Sequence, residues 1–133
     1  MNPNKISCIV VDDEPMALQL IEGYVLKTPF LELKSNCDSA IEALGILETE
    51  KVDLLFLDIQ MPDLTGIGLS KLIPKSTRVI FTTAFSEYAL EGYKVEALDY
   101  LLKPFDYEEF LIAATKAKDW FALVKGSGKE AAS

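Results

Sequence analysis

The chain has 133 residues, half of them hydrophobic, and its 21 acids outweigh its 13 bases to leave a formal net charge of −8 with no histidine. That composition describes one globular domain with a core of useful size. Its acidity argues against binding a phosphate backbone, and the missing histidine removes Ser-His-Asp hydrolysis, HExxH metalloproteases and His-bearing zinc sites.

The apolar run Ile6–Val11 reads as a strand buried on both faces. It stops abruptly at three consecutive acids, Asp12, Asp13 and Glu14. Pro15 then opens a helix to about residue 27, with Ala17, Leu18, Ile21 and Val25 on its apolar side. The stretch "TPFLELKSN" predicts a shorter, alternating strand nearer the sheet edge. Ser39 followed by Glu42 has capping-box spacing and starts a helix to about residue 50. Cys8 and Cys37 fall in neighbouring strands, match no metal spacing and read as buried free thiols.

"VDLLFLD" is the most strand-like run and ends at Asp58. The loop "IQMPDLTG", shaped by Met61 and Pro62 with Gly66 permitting its turn, leads to a short helix over 67–73. "TRVIFTTA" is a fourth strand, ending at Thr83. Ser86 starts a helix to about residue 95, and "ALDYLL" is a fifth strand. "KP" then breaks the chain, and Asp106 caps a last helix ending near Val124. Phe110, Ala114, Ala117, Phe121 and Val124 form its expected buried stripe, with Trp120 to the side. "KGSGKEAAS" reads as a flexible tail or linker, so the domain is expected over 1–124 and the tail over 125–133. No apolar run is long enough to span a membrane and "MNPNKIS" lacks a signal core, so a soluble cytoplasmic chain is expected.

Strands alternating with helices imply a parallel sheet with helices on both faces, whose ligand site lies beyond the carboxyl ends of the strands. Asp12, Asp13, Asp58, Thr83 and Lys103 all follow or end strands and should gather on that edge. Three converging carboxylates need a cation, and an oxygen-only donor set suits Mg2+. Glu14, beside Pro15, reads instead as a helix cap. A metal, the Lys103 ammonium and the Thr83 hydroxyl around one carboxylate are the parts of a phosphoryl-transfer site. Asp58, the lone acid ending a central strand, is the candidate nucleophile, forming an aspartyl phosphate, and Asp12 and Asp13 are the candidate metal ligands.

"IVVDDEP", "LLFLDIQMPDLTG", "VIFTTA" and "DYLLKPF" resemble, in order, the signatures of response-regulator receiver domains of two-component signalling, over residues 5 to about 124. The resemblance implies a single flavodoxin-like, doubly wound (βα)5 domain with a parallel five-stranded sheet of order 2-1-3-4-5. It implies that Asp58 is the phosphoacceptor and that Mg2+ is held by Asp13 directly, Asp12 partly through water, Asp58, and the backbone carbonyl of Gln60. Thr83 and Lys103 would contact the phosphoryl group, with the Lys103–Pro104 peptide cis, and Tyr100 would be the aromatic switch residue paired with Thr83. Gln60 and Phe85 would flank the path of the hydrolytic water.

The implied partner is a sensor histidine kinase. The switching face would comprise the helix after strand four, strand five and the last helix. It is a candidate homodimer surface, with Tyr88, Tyr93, Phe110 and Trp120 on or near it. "GIGL" and "TTAFSEYALEGYKVEALDYLLKPFDYEEF" further resemble receivers that precede LytTR-type (LytR/AlgR) DNA-binding domains. Such an effector would follow this chain, which itself is expected to bind neither nucleic acid nor membrane. The expected role is signalling rather than enzymatic, limited to the domain's own phosphotransfer and autodephosphorylation.

Three rival readings fit less well. A haloacid-dehalogenase-type phosphatase needs a second Asp two positions after its nucleophile, where Gln60 stands, and Asp63 is too far along. A flavodoxin-like FMN protein needs a hydroxyl- and glycine-rich phosphate loop where "DDEP" would repel phosphate. No GxxxxGK[ST] stretch supports nucleotide hydrolysis. A receiver used only as an interaction module is the remaining alternative.

Overall fold

A computed structural model describes residues 5–62, 64–85 and 97–132, with side chains as far as residue 124. Asp63, Ser86, Tyr88, Tyr93 and the helix expected after Ser86 lie outside the described residues. Along the chain run β1 (Ile6–Val11), α1 (Pro15–Lys27), β2 (Leu31–Cys37), α2 (Ala40–Thr49), β3 (Leu54–Asp58), α3 (Gly66–Ser70), β4 (Arg78–Thr83), β5 (Asp99–Leu102) and α4 (Tyr107–Ala132). The five strands form one parallel sheet of order β2-β1-β3-β4-β5, the expected flavodoxin-like doubly wound arrangement.

The pleat sorts each central strand into two cores. Cys8, Val10, Phe56 and Ile80 face α1 and α4, where they meet Ile21, Val25, Phe110, Ala114 and Ala117. Ile9, Val11, Leu55, Leu57 and Phe81 face α2 and α3, meeting Ala40, Ala43, Leu47 and Leu69. Phe56 and Phe110 stack with ring centroids 4.9 Å apart, fixing α4 against the middle of the sheet. Both cysteines are buried free thiols, as expected.

Polar caps start the helices where the sequence places them. The Glu14 carboxylate accepts from Met16 N and Ala17 N at 3.2 and 2.7 Å, with Pro15 as the first helical residue. The Ser39 hydroxyl accepts from Glu42 N at 3.1 Å. Asp106 and Glu109 cap α4 reciprocally, each backbone N–H donating to the other's carboxylate, at 3.1 and 2.9 Å.

Three local expectations are corrected. Helix α3 starts at Gly66, capped by the Thr65 hydroxyl, and ends at Ser70 rather than running over 67–73. Pro74 disfavours a helical conformation for the residue before it, and the chain leaves α3 through short turns, Lys71 N to Gly68 O and Leu72 N to Leu69 O. Helix α4, expected to end near Val124, continues to Ala132. Gly126 and Gly128 each disfavour a helix by about 1 kcal/mol, but no proline intervenes and Lys129, Glu130, Ala131 and Ala132 are good helix formers. Val124 is 45% exposed instead of completing the buried stripe, which comprises Phe110, Ala113, Ala114, Ala117 and Phe121. By Phe121 the helix has risen about 21 Å, the full length of a six-residue strand at roughly 3.3 Å per residue. The next turn therefore has no sheet beneath it.

Candidate functional site

Because β1 and β3 are adjacent, with Val11 opposite Leu57, the residues ending each run, Asp12 and Asp58, sit side by side. Val10 and Phe56 point to the α1/α4 side, so two residues on Asp12 and Asp58 cap the same core. Lys103 follows β5 and reaches across the end of β4 to both. Its Nζ lies 2.7 Å from Asp12 Oδ2 and 3.8 Å from Asp58 Oδ2. The Lys103–Pro104 peptide is cis. Asp12 is fully buried and its Oδ1 accepts from Glu14 N at 2.9 Å. Asp58 is 6% exposed, and its Oδ1 accepts from Gln60 N at 3.3 Å. Asp13 is exposed at the mouth. One carboxylate oxygen from each of Asp12, Asp13 and Asp58 lies within 4.8 Å of the others.

Thr83 ends β4 and is buried; its hydroxyl accepts from Phe85 N at 3.1 Å, and its carbonyl accepts from Lys103 N at 2.7 Å. The same residue thus braces the loops carrying Phe85 and Lys103. Tyr100, half-buried on β5, stacks on Phe81 with centroids 5.2 Å apart, and burial pushes its hydroxyl pKa up. The side chains of Gln60 and Phe85 are exposed beside the site.

Gly66 has no positive φ. It is needed because the start of α3 passes directly behind the phosphoacceptor candidate: Gly66 N donates to Ile59 O at 2.9 Å, and any Cβ here would collide with the Asp58 carbonyl oxygen and stand 2.9 Å from Ile59 Cα. The sequence reading assigned it to a turn; the structure assigns it to this close approach.

The electrostatics follow from the crowding. Burial pushes the Asp58 carboxyl up to about 7, with the neighbouring Asp12 adding to the rise and Lys103 and the Gln60 N–H opposing it. One ammonium cannot balance three acids, two of them buried. An oxygen-only cluster of this kind fits a hard divalent cation. Burial pushes the thiols of Cys8 and Cys37 up to about 12, and both lie within the strands, so sulfur takes no part.

A doubly wound sheet that assembles acids and a lysine at its carboxyl edge defines a domain of receiver type. The chain matches the family of response regulator receiver domains over residues 8–115, and it belongs to that family. It is 37% identical over 103 residues to the transcriptional regulatory protein BtsR of Escherichia coli K12, covering 76% of this chain and 43% of that one. It is also 37% identical, over 112 residues, to the sensory transduction protein LytT of Enterococcus faecalis, covering 82% of this chain and 46% of LytT. The response regulatory domain of mrkE from Klebsiella pneumoniae superposes with a TM-score of 0.81 at 29% identity, over 89% of this chain and 99% of that one. The chain spans less than half the length of these curated relatives. It is a signalling domain of two-component systems, related to the receivers of LytTR-type regulators. Among the described residues no helix is long and apolar enough to cross a membrane.

Proposed function

We propose that Asp58 accepts a phosphoryl group from a phosphohistidine of a sensor histidine kinase, and that the resulting acyl phosphate switches the domain's output. The observation that carries this reading is the placement of Asp58: nearly buried, flanked by Asp12 and Asp13, and faced by the Lys103 ammonium. Asp12, Asp13, Asp58 and the backbone carbonyl of Gln60 would hold Mg2+, which when bound supplies charge neutralisation for the phosphoryl oxygens.

The chain's own groups do the rest. The ionised Asp58 attacks phosphorus; a new O–P bond forms as the P–N bond breaks, and its electron pair leaves on the imidazole nitrogen. Lys103 turns its charge towards the equatorial oxygens, and the Thr83 hydroxyl leaves Phe85 N to meet them. Withdrawal of Thr83 opens space on the α2/α3 side of the sheet, into which Tyr100 turns. The face formed by the segment between β4 and β5, by β5 and by α4 is thereby altered. That face serves a homodimer, and the output is transcription through a LytTR-type domain following residues 1–124, with 125–133 as the connection. The similarity to the transcriptional regulatory protein BtsR and the sensory transduction protein LytT supports this assignment, which sets the chain in the cytoplasm. The chain alone contacts no nucleic acid. Gln60 and Phe85 set the lifetime of the acyl phosphate by flanking the approach of water.

The test is intact mass after incubation with acetyl phosphate and Mg2+. The chain should gain one phosphoryl group, lost on adding EDTA beforehand and absent in Asp58→Asn. An adduct retained in Asp58→Asn, or none in the native chain, would overturn the assignment.

A further inference from the structure

Among the described residues two buried side-chain oxygens lack a hydrogen-bond partner, Asn36 Oδ1 and Thr82 Oγ1. Thr82 is fully buried and is the direct partner of Asp58 across the β3–β4 ladder. One pleat earlier, Phe56 and its partner Ile80 both lie in the α1/α4 core, so Thr82 and Asp58 share that face. Neighbouring strands lie about 4.8 Å apart, which puts the hydroxyl within one rotamer change of the carboxylate.

The two groups are complementary in what they lack. Burying an unpaired hydroxyl carries a folding cost that a valine of the same shape would avoid. Asp58 is poorly supplied with donors: the Gln60 N–H on Oδ1 is long at 3.3 Å, and Lys103, drawn to Asp12, stands 3.8 Å from Oδ2. A carboxylate that must attack in line needs its plane held, and a donor on each oxygen from two different directions would hold it.

We propose that Thr82 is a positioning residue for Asp58: its hydroxyl turns about χ1 to donate to Asp58 Oδ2, fixing the carboxylate plane from β4 while Gln60 N fixes it from the β3 loop. This rests on the reading of Asp58 as phosphoacceptor. Thr82 acts through Asp58 and meets neither the donor nor the phosphoryl group, so at saturating Mg2+ it governs the rate of transfer rather than the binding of donor.

The experiment compares the native chain with Thr82→Val, which keeps shape and removes the hydroxyl, and Thr82→Ser, which keeps the hydroxyl. Phosphoryl gain is followed by intact mass across a range of acetyl phosphate concentrations at saturating Mg2+. Thr82→Val should lower the maximal rate roughly five- to tenfold at an unchanged half-saturating donor concentration, and Thr82→Ser should recover most of the rate. A Thr82→Val rate equal to native, or a Thr82→Ser rate as low as Thr82→Val, overturns the role of Thr82 while leaving Asp58 as phosphoacceptor. A native chain that gains nothing overturns both.

Discussion

Lys103 gives its ammonium to Asp12 rather than to Asp58: Nζ stands 2.7 Å from the first carboxylate and 3.8 Å from the second, although Asp12 follows a strand one place farther from β5 than the strand that Asp58 ends. Asp12 is the fully buried acid, so the cation sits where the uncompensated charge would be most costly.

Removing that cation should therefore harm the fold as well as the chemistry. Lys103→Met keeps the length of the stem but leaves Asp12 buried and unpaired. We expect a loss on the order of 3 kcal/mol in the absence of divalent metal, read as a lower urea midpoint with an unchanged slope. Added Mg2+ should recover part of that loss while phosphorylation remains slow. A midpoint equal to native would refute a stabilising role for the Lys103–Asp12 pair.

The Asp58 carboxyl, raised from its ordinary 3.8 to about 7, sets a pH dependence whose sign is fixed. A raised folded value means that this group's contribution to stability is complete below its unfolded value and is lost as pH rises through about 7. Metal-free protein should thus lose stability between roughly pH 4 and pH 8. Asp58→Asn should flatten that decline and be the more stable protein at the upper end, by on the order of 1–2 kcal/mol. Mg2+ should raise the thermal midpoint most above neutrality, fading where protons compete for Asp58. Thermal melts in EDTA and in Mg2+ across that range provide the measurement; parallel pH profiles for native and Asp58→Asn would refute it.

Gly66 and the glycines of α1 and α2 should respond in opposite senses to alanine. At Gly66 a methyl meets fixed backbone behind Asp58, and the loss should be on the order of 2–4 kcal/mol, with phosphorylation impaired. Gly23 in α1 and Gly45 in α2 have open space around the added carbon, so alanine should stabilise each by about 0.5–1 kcal/mol. Denaturation midpoints of the three variants check the contrast directly.

The sequence makes the frame legible where local chemistry and tertiary demand agree. The run ending at Val11 has to stop, because the next two residues are acids, and Pro15 can only begin a helix. Asp12, Asp58 and Lys103 could be placed on one edge because topology carries every parallel strand's end to the same side. The ends of α3 and α4 were harder. Pro74 acts on the residue before it, which apolar periodicity ignores, and the glycines near the end of α4 weaken a helix without forbidding it. Trp120 was unreadable in its detail: the Arg78 guanidinium lies over its ring, 4.3 Å from the centroid, a pairing between β4 and α4 that no local pattern announces. Thr82 was missed for a related reason. Next to Thr83 it reads as one more β-branched strand residue, and only the accounting of buried hydrogen bonds singles it out.

The pleat of β4 gives that neighbouring pair a joint meaning. Thr82 looks into the layer of α1 and α4 beside Asp58, whereas Thr83 follows Phe81 towards the layer of α2 and α3, where Tyr100 stacks. Among the described residues the sheet separates two clusters of buried side chains, and a single peptide bond joins the two threonines through the partition. On the function proposed above, a phosphoryl group formed on Asp58 in one compartment is met by the residue that faces the other, so the partition is crossed by one side chain rather than around the sheet's rim.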